Sequence, residues 1–211
     1  MRVIKVQGRG RVAVQPDTVI ITFDVEVRAQ EYKDCLNNLN QRTTALRSEI
    51  EAAGRAGSEL KTSNFSLRVN TKYTQGRHVF DGYAGSHTLH IKFPADKEVL
   101  NQVLREIARG HSGAEIRLTF TVQDKEAVKQ AALVEAVKTA QKNAQTLAEA
   151  AGLKLGQIQQ IDYGWAEIRV YDRAMDMVCP EPAAPMEYKP DIEPEEVAAE
   201  DNVTLVYEIM E

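Results

Sequence analysis

The sequence predicts an α+β fold of two layers: a largely antiparallel sheet with helices on one face, in the order ββαββαβαββ. Three observations point there. Runs of alternating apolar residues, the signature of half-buried strands, arrive in consecutive pairs. Helical runs separate those pairs. One long helix carries five alanines at four-residue spacing, Ala132, Ala136, Ala140, Ala144 and Ala148. Small residues along a buried stripe let a helix axis approach its neighbour closely, here the face of a sheet.

The first thirty residues read as a hairpin. Ile4, Val6, Val12 and Val14 are apolar at even positions, with Gly8 and Gly10 between them. Val19, Ile21, Phe23, Val25, Val27 and Ala29 are apolar at odd positions, and Pro16-Asp17 supplies a turn. Pairing Gln15 with Thr18 brings both apolar sets to one face, with Gly8 opposite Val25, Gly10 opposite Phe23 and Arg9 opposite Asp24.

A helix follows from about Glu31 to Ala53, with Tyr32, Leu36, Leu39, Leu46 and Ile50 on one face and Gly54 beyond it. Leu60 to Tyr73 reads as a strand with Phe65, Leu67 and Val69 inward. Gln75-Gly76 turns it into a partner from Val79 to Phe93, with Leu89, Ile91 and Phe93 inward; the facing of Tyr83 and Ala84 depends on register. Asp96 opens a short helix that buries Leu100, Val103, Leu104 and Ile107 and closes at Gly110. Ile116, Leu118, Phe120 and Val122 alternate in the next strand. The alanine helix then runs from its Asp124 cap to Gly152, with Leu133, Val137, Leu147 and Ala151 joining its buried stripe. Strands from Gln157 to Tyr171 and from Asn202 to Met210 complete the order.

Length and composition fit one domain over residues 1–211, with an acidic, Pro- and Met-rich insertion at about 172–201. Five of the seven prolines fall in that stretch, which cannot pack a core of its own. It holds ten acids against Arg173 and Lys189, so it carries −8 and leaves +3 for the rest of a chain at −5. Its bland reading is a solvated loop. Its functional reading is a docking arm for a basic surface, with Met175, Met177 and Met186 as adaptable apolar contacts, Tyr188 as an aromatic anchor, and Glu193, Glu195 and Glu196 as charge. No apolar run is long enough for a membrane span. The N-terminus alternates like a strand and lacks an apolar leader core, so the chain reads as cytoplasmic, or periplasmic if a leader was trimmed.

The ordered set Gly8-x-Gly10, Pro16-Asp17, Leu60-Lys61-Thr62-Ser63-Asn64-Phe65-Ser66-Leu67, Tyr73 and Gly82-Tyr83-Ala84 resembles the SIMPL-domain family. Asp124 before the alanine helix, Leu147-Ala148-x-x-Ala151-Gly152-x-x-Leu155-Gly156, Ile192-Glu193-Pro194 and Val203-x-x-Val206-Tyr207 extend the resemblance over nearly the whole chain. It implies an α+β fold, a tendency to form oligomers and no established catalytic activity. Bacterial members are often exported envelope proteins tied to oxidative-stress defence, and a vertebrate member binds a receptor-associated kinase. Glu195 departs from the glycine expected after the proline.

Few residues suggest chemistry. Gly8-Arg9-Gly10 precedes a strand, where a dinucleotide loop needs a helix N-terminus. His87 and His90, three apart on a strand, point to opposite faces and cannot share a metal; Ser86-His87 and His111-Ser112 show no orienting acid. Neither cysteine lies in a CxxC pair, and Cys179 is the candidate redox thiol, since Cys35 sits beside a helix's apolar stripe. Lys5, Arg9 and Arg11 line the outer face of the first strand and Arg28 would join them, a candidate anion patch without the aromatics of a nucleic-acid site. No cofactor is expected. The leading expectation is a non-enzymatic, self-associating assembly or protein-binding domain linked to stress response. A module for a small or anionic ligand is the alternative, and an enzyme of unknown class comes third.

Overall fold

The computed structural model describes residues 2–74, 76–164, 170–171, 173–177 and 192–210, without side chains at 170–171 and 173–177. In chain order the elements are β1 (Val3–Val14), β2 (Thr18–Ala29), α1 (Tyr32–Ala52), a 3-10 turn (Gly57–Glu59), β3 (Lys61–Thr74), β4 (Arg77–Pro94), α2 (Lys97–Arg109), β5 (Glu115–Thr121), α3 (Lys125–Ala150), β6 (Lys154–Asp162), β7 (Val170–Tyr171), β8 (Arg173–Met177) and β9 (Val197–Met210). The fold is α+β, as expected, and the element order follows the expected one with β7 and β8 added. Its antiparallel pairing is divided between two sheets, ordered β1-β9-β6 with β7 beside β9, and β3-β4-β2-β5-β8. The chain accordingly forms two compact units, one of residues 1–16, 122–173 and 194–211, the other of residues 17–121 and 174–193.

The division overturns the expected first hairpin. β1 pairs along its whole length with β9, Gly8 opposite Val203 and Arg9 opposite Asn202. β2 lies in the other sheet between β4 and β5. Pro16-Asp17 is a crossing, not a hairpin turn: the Asp17 N–H donates to the Thr121 carbonyl at 3.2 Å and its carbonyl accepts from Ala95 N–H at 2.8 Å. Alternation fixes which side chains share a face, but it does not choose the neighbouring strand.

In the first unit, α3 lies on β1 and β9. Its Asp124 cap accepts from Ala127 N–H at 2.9 Å. At the other end Gly152, at φ +69°, donates to Glu149 at 3.0 Å, and Leu153 donates to Ala148 at 2.9 Å, a Schellman closure. Ala132, Ala136, Ala140, Ala144 and Ala148 are buried. Gly8 and Gly10 lie beneath them: a Cβ at Gly8 would strike the Ala136 carbonyl and the Ala140 amide, and one at Gly10 the Ala132 carbonyl and the Ala136 amide. The buried stripe is narrower than expected. Leu147 is about half exposed, Ala151 is exposed, and Leu133 and Val137 are only partly buried, because the close approach leaves room for one file of small side chains.

The second unit packs α1 and α2 on its sheet through Leu39, Leu46, Ile50, Leu100, Val103, Leu104 and Ile107, against Ile21, Phe23, Leu89, Ile91 and Leu118. The Asp96 carboxylate caps α2 by accepting from Glu98 and Val99 N–H at 2.8 and 3.1 Å. Tyr83 packs against this core, which settles the register at that point. Phe65 and Val69, expected inward, are about half exposed. They stand on the edge strand β3, where the helical layer gives out.

One strand and the start of another fall inside the stretch expected as an acidic insertion. β8 occupies residues 173–177, and β9 starts at Val197, five residues before the expected Asn202, because buried Val197 and Ala199 extend its alternation. Residues 178–191 lie outside those described.

Candidate functional site

The cations of β1 occupy its solvent face at alternate positions. Lys5 pairs with Asp162 at 3.8 Å, Arg9 forms a charge-assisted hydrogen bond with Glu200, and Arg11 lies 3.6 Å from the same carboxylate. The Arg9 hydrogen bond is the main cause holding the Glu200 carboxyl below its ordinary range. Arg28 does not join them. It stands on β2 opposite Ala84, beside a dimple of about 40 Å³ shared with Arg68 and Glu26, room for little more than a water. The four-residue anion patch therefore reduces to three cations, each with an acid beside it.

The proposed docking arm is only partly visible. Glu193, Glu195 and Glu196 are exposed on the approach to β9. Met175 and Met177 belong to the backbone of β8, while Met186, Tyr188 and the thiol candidate Cys179 lie outside the described residues. Cys35 is a free, fully buried thiol with its Sγ 3.7 Å from the Tyr83 carbonyl.

Several polar groups are spent on architecture. His87 turns toward α1 and is held between two hydroxyls, Thr43 Oγ1 at 3.1 Å from Nδ1 and Thr62 Oγ1 at 2.9 Å from Nε2. Burial first, then the Arg47 charge, lowers its pKa from the ordinary 6.5. An acid does stand beside His111-Ser112, contrary to expectation. Buried Glu49 of α1 accepts from the backbone N–H of His111 and Ser112 at 2.8 and 2.9 Å and from Ser112 Oγ at 2.6 Å. It binds the main chain of His111, not its ring, so the arrangement anchors the loop after α2 and orients no base. A Cβ at Gly110 would collide with this carboxylate. In the first unit desolvation, followed by the charge of Asp201, raises the Tyr163 phenol pKa. Among the described residues no three His, Cys, Asp or Glu side chains gather as metal ligands, and no helix is long and apolar enough to cross a membrane.

Sequence periodicity missed two surfaces. The first is an aromatic ribbon. β2 stops pairing with β4 at Ala29 opposite Tyr83, and β3 and β4 continue beyond that point as a two-stranded ribbon. On and beside it Tyr32, Phe65, Val69, Tyr73 and Phe80 are each at least half exposed, Tyr73 by 69%. Edge-to-face contacts join Tyr32 to Tyr83 at 5.7 Å, Tyr83 to Phe80 at 5.5 Å and Tyr73 to His78 at 5.2 Å. Arg68, Lys72 and Arg77 are exposed at the alternate positions, on the ribbon's other face, with Lys72 paired to Asp81 at 3.0 Å. The second is a groove between β1 and α3, of about 360 Å³, lined by Lys5, Val6, Gln7, Asn143, Thr146 and Leu147. Each surface needs the tertiary fold to bring its two sides together.

The architecture is that of an α+β protein with two antiparallel sheets, one covered by α3 and the other by α1 and α2. The chain matches the family model SIMPL, described as a protein of unknown function (DUF541), over residues 4–207, and it belongs to that family. A comparison with curated proteins finds no match.

Proposed function

We propose that this protein is a non-enzymatic assembly domain that binds a second copy of itself, in keeping with the oligomers and the stress-defence setting that the family resemblance suggests. The observation that carries the reading is the aromatic ribbon of β3 and β4. Contiguous exposed apolar side chains on a soluble surface mark protein interfaces, and aromatics supply most of the binding energy there. The ribbon's other face carries Arg68, Lys72 and Arg77, cations that suit the one strongly acidic stretch available on another copy, residues 172–201 at −8. The interior polar groups support a scaffold: buried Glu49 and Ser112, and half-buried His87, are engaged in bonds that hold elements together.

Light scattering after size exclusion tests this. The wild-type chain is expected to exceed monomer mass at micromolar concentration, and Tyr73→Asp with Phe80→Asp to return it to monomer. A wild-type monomer at every accessible concentration would refute the proposal.

A further inference from the structure

We propose that the outer edge of β1, with the groove between it and α3, is a strand-addition site for an extended acidic segment of a partner protein. β1 ends its sheet: β9 lies on one side and no strand on the other among the described residues. Backbone direction shows which residues face outward. The Arg2 carbonyl accepts from Ile209 N–H of β9 at 3.1 Å, so even residues turn toward β9. The Gln7 carbonyl instead accepts from Asn143 Nδ2 of α3 at 3.1 Å, so odd residues turn away from it. In an antiparallel strand the N–H and C=O of one residue point the same way, so Lys5 turns both groups to the groove and Gln7 its N–H beside the carbonyl that Asn143 holds. The Asn143 amide donates to Gln7 as the N–H of an added strand would.

The edges differ in their protection. Pairing of β3 shifts register between Thr62 and Asn64 and again between Val69 and Thr71, and that of β6 shifts on both sides of Ile158. Such bulges bend an edge away from further pairing. β1 keeps twelve consecutive residues in register with β9. A straight edge beside an apolar wall, here Val6 and half-exposed Leu147, is the geometry by which domains take up peptides as extra strands.

Charge selects the occupant. β1 carries Lys5, Arg9 and Arg11 and no acid, and the two carboxylates beside them, Asp162 and Glu200, are one short of these three cations, so an added strand meets a cationic row. Acids at every second residue of the incoming segment answer them. A second β1 does not: a two-fold through Gln7 would set Lys5 opposite Arg9, like charge against like. This surface belongs to the first unit and the aromatic ribbon to the second, so either proposal can fail alone.

The probe is a capped ten-residue peptide alternating glutamate with valine, titrated into the full chain while backbone amide shifts are followed by NMR. Saturable shifts at residues 3–9 and 143–147 are expected, with at least tenfold weaker binding for Leu147→Glu and for Gln7→Pro. Proline at position 7 removes an outward N–H and leaves the β9 ladder intact. If that variant fails to fold, Leu147→Glu, on an exposed helical position, decides alone. Absence of shifts at millimolar peptide, equal binding of the lysine–valine counterpart, or unchanged affinity in Leu147→Glu would overturn the proposal. So would a self-association lost in Leu147→Glu, which would assign the edge to a second copy.

Discussion

In the first unit α3 meets its sheet through alanine and glycine, with Ala132, Ala136 and Ala140 over Gly8 and Gly10. In the second, α1 and α2 meet theirs through leucine, isoleucine and valine, with Leu39, Leu46 and Leu104 against Phe23, Leu89 and Ile91. The two interfaces tolerate opposite errors. Where helix and strand backbones nearly touch, an added atom has nowhere to go, because the obstacle is main chain that no rotamer change can move. Where large side chains fill the space, an atom removed leaves a void whose walls relax only in part. The first interface is intolerant of growth and the second of loss.

The largest expected effect is at Gly10. Gly10→Val should cost more than about 3 kcal/mol, beyond ordinary overpacking, since the added carbons meet the Ala132 carbonyl and the Ala136 amide. Ala140→Gly, which removes an atom from the same interface, should cost only about 1 kcal/mol, close to the helix-propensity difference alone. Urea denaturation followed by circular dichroism measures both, and similar costs for the two would dissolve the contrast. Next comes the second unit. Leu39→Ala should cost about 2–5 kcal/mol, whereas Leu39→Met, which keeps the volume, should stay below about 1.5 kcal/mol.

A smaller effect is expected where the second unit depends on a buried carboxyl group. Glu49→Ala strands the N–H groups of His111 and Ser112 and the Ser112 hydroxyl, a loss of about 1–3 kcal/mol. Faster amide exchange at His111 and Ser112, with the rest of the sheet still protected, would show that the bond anchors this loop.

What the sequence disclosed follows the same contrast. α2 was legible from Asp96 to Gly110 because a cap, a 3.6-residue stripe and a stop signal are all local. The alanine stripe was legible as a close approach, and Gly8 and Gly10 as strand-packing glycines, but their meeting was not. It depends on β1 pairing with β9 across nearly the whole chain, while an adjacent alternating strand and a Pro-Asp offered a nearer partner. The inward reading of Phe65 and Val69 failed because alternation cannot tell a central strand from an edge strand. Arg28 was misplaced by the same pairing error. Glu49 left no signal, since its partners lie more than sixty residues away and are mostly backbone.

The smallest expected effect, and the one that tests the β3 edge, comes from His87. Its imidazole is bracketed by Thr43 on α1 and Thr62 on β3, packs edge-to-face on Phe65 at 5.2 Å, and lies within reach of the Arg47 charge. Burial and Arg47 both disfavour the protonated ring, so its folded pKa lies below the ordinary 6.5. As pH falls through 6.5 the unfolded chain takes up a proton before the folded one does. Stability from this residue is therefore complete above 6.5, declines on acidification, and levels off once the folded pKa is passed. The ring is only partly shielded, which keeps the effect small. Between pH 7.5 and 5.5 the urea midpoint of the wild type should drop more than that of His87→Gln, which keeps a polar partner for the threonines but does not titrate. Identical slopes would mean that the threonine bracket accepts the charged ring, and that the β3 edge is held by its hydrogen bonds whatever the protonation state.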